Sequence, residues 1–239
     1  MHWLASSKKH HAMNSSVLKT IFLGSWLAIC GASSAATTYF SNLGQASDGI
    51  GWAQFGNIPD YNASDFLTGA SAVTITSATF PLSNWDAVAH VLTPMIYTNS
   101  GGTPGTLVGS FSDITINADP GGPGAGTYSN YSATAAGINL AANTTYWMVL
   151  KNGTAPDLPF PVLWNTTASN TMDGGSTFSE VAATKLKYST DAASWADATA
   201  NTANAMFSLS GNLAAAPEPS RVLLLFAGAA GFLLRRRRI

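Results

Sequence analysis

Residues 37–213 of this 239-residue chain are predicted to fold as an all-β domain, an antiparallel β-sandwich of jelly-roll-like form. Three observations predict it. Short runs rich in β-branched and aromatic residues recur along the segment. Clusters of Gly, Pro, Asn and Asp punctuate them. Nowhere does an apolar stripe persist at the helical period between capping residues. Short strands with frequent turns bury their apolar faces in a sandwich or a barrel, and roughly 180 residues suffice for one such core.

The elements follow in chain order. Residues 73–76 (VTIT) alternate apolar and polar, and 78–82 extend that strand. Val91-Leu92 and 95–97 flank Pro94, which predicts an edge strand or a bulge, because proline cannot donate to a ladder. Residues 107–111 form another short run, and 145–150 (TYWMVL) have the composition of a central strand. Residues 161–164 and 206–209 read similarly. Turns are expected at 99–105, 119–126 and 173–176, where glycine supplies positive φ and proline fixes φ. Two alanine-rich stretches, 133–137 and 191–204, are compatible with a short helical turn. No fixed-period repeat is present.

The formal charge of −1 conceals three unlike segments. Residues 37–216 contain three lysines, no arginine, ten aspartates and one glutamate, a formal charge of −8. Such a surface lacks the cations that neutralise phosphates, so nucleic acid is excluded as a partner. The only cysteine, Cys30, precedes this segment, which therefore has no disulfide and no thiolate metal site.

Both ends read as addresses. Lys8, Lys9 and Lys19 precede an apolar run over 21–32 and the small residues Ser33, Ser34, Ala35 and Ala36, the order of a secretory signal peptide over 1–36. Cleavage after Ala35 or Ala36 fits, and Met13 is an alternative start. A lipoprotein signal ending at Cys30 fits poorly because Ile29 is bulky, and the run is short for an uncleaved span. At the other end, residues 214–239 carry Pro217-Glu218-Pro219, an uncharged apolar run over 222–234, then Arg235, Arg236, Arg237 and Arg238. As a transmembrane helix, the run covers only ~20 Å of a ~30 Å hydrocarbon core. Snorkelling arginines and a thinned bilayer make that span feasible. The terminal arginines would stay cytoplasmic and the domain would face outward.

This tail resembles the PEP-CTERM sorting signal, in which a Pro-Glu-Pro triplet precedes a short apolar helix and an arginine cluster. The resemblance implies recognition by an exosortase of the inner membrane, transient anchoring there, and association with exopolysaccharide or biofilm matrix. Pro217, Glu218, Pro219 and the four terminal arginines are then read by another enzyme and perform no chemistry. The domain resembles the choice-of-anchor β-sandwiches, most nearly those of type R, at 52–55 (WAQF), at Ile96-Tyr97 leading to 104–109 (PGTLVG), and at 140–150 (LAANTTYWMVL). No catalytic residues accompany that resemblance.

A search for chemistry in the domain finds little. His90 is its single histidine, expected as a strand-end or surface residue; a Ser-His-Asp triad would lack the Gly-x-Ser-x-Gly elbow that commonly presents the serine. Most aspartates, Asp48, Asp60, Asp86, Asp119 and Asp173 among them, sit in turn-like contexts where the side chain bonds nearby amides. Calcium is the one cofactor with candidates: Asp113, Asn117 and Asp119 beside the Gly-rich loop offer oxygen ligands, without the spacing of an EF-hand. Trp147 and Trp164 lie in apolar strands and are assigned to the core. Trp85 and Trp195, with polar neighbours, are candidate sugar-stacking residues. The leading expectation is an exported, non-enzymatic surface or matrix protein. A carbohydrate-binding module, calcium-assisted or not, is the alternative, and a secreted hydrolase is the second.

Overall fold

The computed structural model describes residues 35–48, 60–85, 88–118, 128–153, 162–181, 186–198 and 203–214, together with the backbone of 52–53. The sequence-predicted signal peptide and sorting tail lie outside these residues, apart from Ala35, Ala36 and Ala214. Among the described residues there are fifteen strands and no helix. In chain order they are β1 (Thr37–Ser41), β2 (Trp52–Ala53), β3 (Asp60–Leu67), β4 (Val73–Asn84), β5 (His90–Ser100), β6 (Thr103–Ser110), β7 (Ile114–Ile116) and β8 (Ser129–Leu140). There follow β9 (Thr145–Asn152), β10 (Val162–Trp164), β11 (Thr166–Thr167), β12 (Lys187–Ser189), β13 (Ala196–Asp197), β14 (Asn204–Ala205) and β15 (Ser208–Leu213).

All pairings are antiparallel. A six-stranded sheet runs β1-β15-β4-β10-β2, with β8 along the opposite edge of β4. A seven-stranded sheet runs β13-β12-β3-β9-β5-β6, with β7 continuing the β6 edge of β5. β11 and β14 make a separate two-stranded piece. One apolar cluster joins the two large sheets. It draws Ile75, Phe80 and Leu82 from β4, Ile138 from β8, Trp164 from β10, Phe66 from β3, Ile96 from β5, and Met148 and Leu150 from β9. Phe207, just ahead of β15, stacks on Phe40 of β1 at 4.3 Å between ring centroids.

β4 shows how one irregular residue sets the packing. Val73 and Ile75 point into the core, then the phase changes and Ala78, Phe80 and Leu82 do so. The pairing slips between Ile75 and Ser77 against β8 and between Ser210 and Gly211 against β15. Against β15, Thr76 is the extra residue, while against β8 the extra residues lie in 135–137 opposite it; this irregularity reverses the alternation. Opposite it, Gly211 runs so close that a Cβ would lie 2.0 Å from the Thr74 carbonyl oxygen. In β8, Gly137 takes φ +138° at the same irregularity. The predicted helical turn at 133–137 is therefore strand: Ala133 packs into the core, and tertiary pairing overrides alanine's helical preference. Of the stretch 191–204, the described part holds bends, β13 and the first residue of β14.

β5 corrects one of the two alternatives for Pro94. It is no edge strand but an interior one, flanked by β9 on one side and by β6 and β7 on the other, and the irregularity lies where two of its residues, Thr93 and Pro94, oppose the three of 111–113. Pro94 sits where β6 has ended and β7 has not begun, and its carbonyl there accepts from the Phe111 amide at 2.9 Å. The missing N–H faces this gap, so no ladder bond is lost. The predicted turn at 99–105 tightens to Gly101-Gly102, with φ +61° and +84°, both central residues positive as in a type I′ hairpin. Thr37 pairs with Gly211, and the Ala214 amide donates to the Ala72 carbonyl at 3.1 Å. The chain therefore joins and leaves the domain side by side.

Candidate functional site

The most unusual electrostatics of the described residues centre on Glu180, the lone glutamate of residues 37–216. Ser179 bridges to Leu67 through a reciprocal backbone pair at 2.8 and 3.0 Å, which lays the chain beside β3 beyond the end of β12. Glu180 Oε1 accepts from Asn42 Nδ2 at 2.9 Å, and Oε2 from Asn204 Nδ2 at 2.6 Å. Both amides are themselves fixed. Asn42 Oδ1 accepts from the Phe207 amide at 2.8 Å, and its Nδ2 also reaches the Ala205 carbonyl at 3.1 Å. Asn204 Nδ2 lies 2.7 Å from Asn170 Oδ1 and 3.2 Å from the Ser169 carbonyl.

Burial pushes the Glu180 carboxyl up to about 7; the Asn42 donor opposes this, the charge of Asp65 adds to it, and the Asn204 donor opposes it again. A carboxyl that exchanges its proton near neutrality, with a second carboxylate at hand, is the raw material of acid–base catalysis. Here, however, both oxygens are occupied by amide donors. The group therefore acts as a strut joining the ends of β1, β14 and the β3 edge. Sequence reasoning passed over this cluster; the one signal for it was that a single glutamate stands among ten aspartates.

The outer face of the seven-stranded sheet carries a second feature. Tyr61 and Ala63 of β3, Met95 and Tyr97 of β5, and Trp147 and Val149 of β9 form a separate apolar cluster. The turn leading from β12 to β13 covers it. Asp191 Oδ1 accepts from Ser189 Oγ and from the amides of Ala193 and Ser194, all within 2.9 Å, while Ser189 Oγ accepts from the Asp191 and Ala192 amides. Those two backbone donors, helped by Ser189, hold the Asp191 carboxyl down at about 2. The tight turn delivers Trp195 edge-to-face onto Tyr61 and Tyr97, with centroids at 6.4 and 6.5 Å. Lys151 Nζ stands 5.9 Å from the Tyr61 ring.

The sequence-predicted residues are placed as follows. Trp195 is partly exposed and caps the outer cluster. Trp85, just past β4, is also partly exposed, and its indole N–H is buried without an acceptor among the described residues. Trp147 and Trp164 are core, as expected. Asp113 accepts from Thr93 Oγ1 at 2.6 Å at the start of β7. Asn117 follows the far end of that strand, ~13 Å away at the ordinary strand rise, so the two side chains are not brought together. Asp119, like the 119–126 loop, lies outside the described residues. Among those described, no three His, Cys, Asp or Glu side chains converge to hold a metal ion. Pro217, Glu218, Pro219, Arg235, Arg236, Arg237 and Arg238 also lie outside.

His90 stands at the strand end, as one of its two expected placements has it: it heads β5 opposite Ile116, and it is fully buried rather than at the surface. One expectation is corrected. Asp60 is the first residue of β3, buried rather than in a turn, and its Oδ1 accepts from the Tyr61 amide at 3.0 Å. Asp173 lies in its predicted turn, but its side chain bonds a distant segment rather than nearby amides. Its carboxylate takes the Ser41 hydroxyl, the Gly44 amide and the Gln45 side chain, clamping the chain after β1 onto the 173–176 turn. Burial works against its ionisation, yet the bonds from Ser41, Gly44 and Gln45 together hold its pKa below the usual carboxylate value.

In comparisons with known proteins, no family model, no curated protein and no solved structure matches the chain.

Proposed function

We propose that the two large sheets form a jelly-roll-like sandwich that is the passenger of an exported, non-enzymatic surface or matrix protein, sorted through a PEP-CTERM signal. The observation that carries this reading is the order of features after the last strand: Pro217-Glu218-Pro219, thirteen residues without a charge over 222–234, and four terminal arginines. The strands support it in one respect. Because Thr37 of β1 pairs with Gly211 of β15, the first and last strands begin and end at the same pole of the domain. The domain would hang from that pole while export machinery and exosortase process the ends. It would then join exopolysaccharide, with no catalytic residue involved.

Deleting residues 217–239 and fractionating the cells tests the anchor, and intact-mass measurement of the mature protein tests the processing. The expected result is membrane retention of the intact chain that disappears in the deletion, with mature mass lacking both ends. Unchanged retention, or a mature protein with both ends uncut, overturns the proposal.

A carbohydrate-binding role is favoured by one observation, the rigid turn that presents Trp195 above Tyr61 and Tyr97. A glycan array read with and without chelator tests it, and a folded domain that binds nothing in either condition removes it.

A further inference from the structure

At the pole where the chain departs lies an apolar cleft of about 430 Å³. Its walls are Tyr39 of β1, Ala70 and Ser71 of the β3–β4 turn, Val73 of β4, Phe178, and Leu213 at the end of β15. Tyr39 and Phe178 stack at 5.4 Å and form one rigid side. The floor is closed where Gly69 passes the Thr177 carbonyl so tightly that a Cβ would sit 2.6 Å from its oxygen. Leu213 on the lip is 64% exposed, the most exposed of the large hydrophobic side chains described. A volume of this size falls in the ~300–1,000 Å³ range of pockets that hold small apolar ligands.

The length and direction of the remaining chain say what can reach it. Leu213 is both the lip of the cleft and the last strand residue, and the Ala214 amide is pinned to the Ala72 carbonyl beside the Ser71–Val73 wall. Seven residues, 215–221, then lead to Val222, Leu223, Leu224, Leu225 and Phe226. That connection spans at most ~28 Å when extended, ample for a return to the cleft mouth. Outside a bilayer, those five apolar side chains face water unless something covers them, and a contiguous apolar stretch of that kind drives aggregation. This apolar hollow, bordered by their own chain at Leu213, is within that reach.

We propose that the cleft binds the first turn of the tail's own apolar segment, residues 222–226, shielding it in water and releasing it when a bilayer competes for it. This occupant is intramolecular and does not depend on recognition by an exosortase, so the two proposals fail separately.

The test places the photo-crosslinking residue p-benzoylphenylalanine at Thr177, an exposed rim position, in the full chain at high dilution. Crosslinked peptides are then mapped by mass spectrometry. The expected product is an intramolecular link to residues 222–226 that falls at least tenfold when zwitterionic vesicles are added. Filling the cleft with Ser71→Trp should reduce the link at least fivefold. If that variant does not fold, Leu213→Asp, a change at an exposed position, should do the same with an unaltered circular dichroism spectrum. Links confined to other segments, links between two copies, or a yield indifferent to both variants and to vesicles would each overturn the proposal.

Discussion

The two large sheets dispose of their side chains in opposite ways. In the six-stranded sheet one face is core and the other is wet along β8 and residues 73–79 of β4, though both faces are buried where β4 meets β10. Thr79 meets Ser132 and Thr74 meets Asn139 across the outer face of β4 and β8, at 2.9 and 2.7 Å. In the seven-stranded sheet both faces are covered, and β3 inverts the usual arrangement. Pleating puts Asn62 and Ser64 on the same face as Phe66, toward the main core, while Tyr61 and Ala63 face outward into the second cluster. The first sheet is held by one apolar layer. The second is held by two, and β3 buries the polar side chains of Asn62 and Ser64 among them. Substitutions in the two sheets should therefore differ in kind as well as in size.

The largest effect is expected at Trp147, whose ring is buried in the outer cluster and whose indole N–H donates to Asn99 Oδ1 at 3.0 Å. Trp147→Ala should cost ~3–5 kcal/mol in urea unfolding, as for a large residue removed from a true core. A loss under ~1 kcal/mol would mean that the outer cluster is only surface, and the contrast between the sheets would vanish.

The bulge of the six-stranded sheet comes next. A methyl at Gly211 meets backbone atoms of Thr74 and Ile75, which cannot move aside without opening the β4–β15 ladder. Gly211→Ala should cost ~2–3 kcal/mol. Gly153→Ala, with nothing within 4 Å of the added atom, should stay within ~0.5 kcal/mol. Equal effects at the two glycines would show that the bulge yields.

Glu180 sharpens the comparison through pH. Its folded-state value of about 7 exceeds the ordinary 4.5, so the folded protein holds more protons than the unfolded chain between those limits. Stability from this group is thus present below about pH 4.5 and declines as pH rises toward 7. The native domain should melt at a lower temperature at pH 8 than at pH 5. Glu180→Gln, which keeps an acceptor for one amide and cannot ionise, should flatten that difference. Asp173, whose value is depressed, acts only below the carboxylate range and does not interfere in this window. An unchanged slope in Glu180→Gln would assign the pH dependence elsewhere.

The same contrast explains what could be read in advance. β4 was visible because its wet face makes it alternate, and β9 because it is uniformly apolar and aromatic. Turn chemistry located the Gly101-Gly102 hairpin, though not how tightly the strands close on it. β3 (DYNASDFL) was not recognised: burial on both faces removes the alternation, and Asp, Asn and Ser carry low strand propensity. β8 was hidden by its alanines. The Glu180 cluster was illegible because Asn42, Asn170, Glu180 and Asn204 converge only after β1, β14 and the β3 edge have assembled. The calcium and sugar-stacking candidates came from local composition, which says nothing of distance. Asp113 and Asn117 ended on opposite ends of β7, while Trp195, partly exposed, meets Tyr61 and Tyr97 edge-on, contacts that local composition could not foresee.

The smallest expected effect tests the rim of the doubly covered sheet. Lys187 of β12 pairs with Asp197 of β13, with the lysine side chain mostly covered and the aspartate half exposed. An ion pair with one partner in water contributes little, ~0–1 kcal/mol, because solvent screens it and two flexible side chains must be ordered. Lys187→Met keeps the aliphatic stem against its neighbours and removes the charge. It should therefore change stability by ~0.5 kcal/mol or less, with little dependence on salt. A loss above ~2 kcal/mol would mean that β13 and the Trp195 turn depend on this contact. The covering of the outer face would then be a conditional latch, fastened by one charge pair, and the two-layer description of this sheet would have to be replaced.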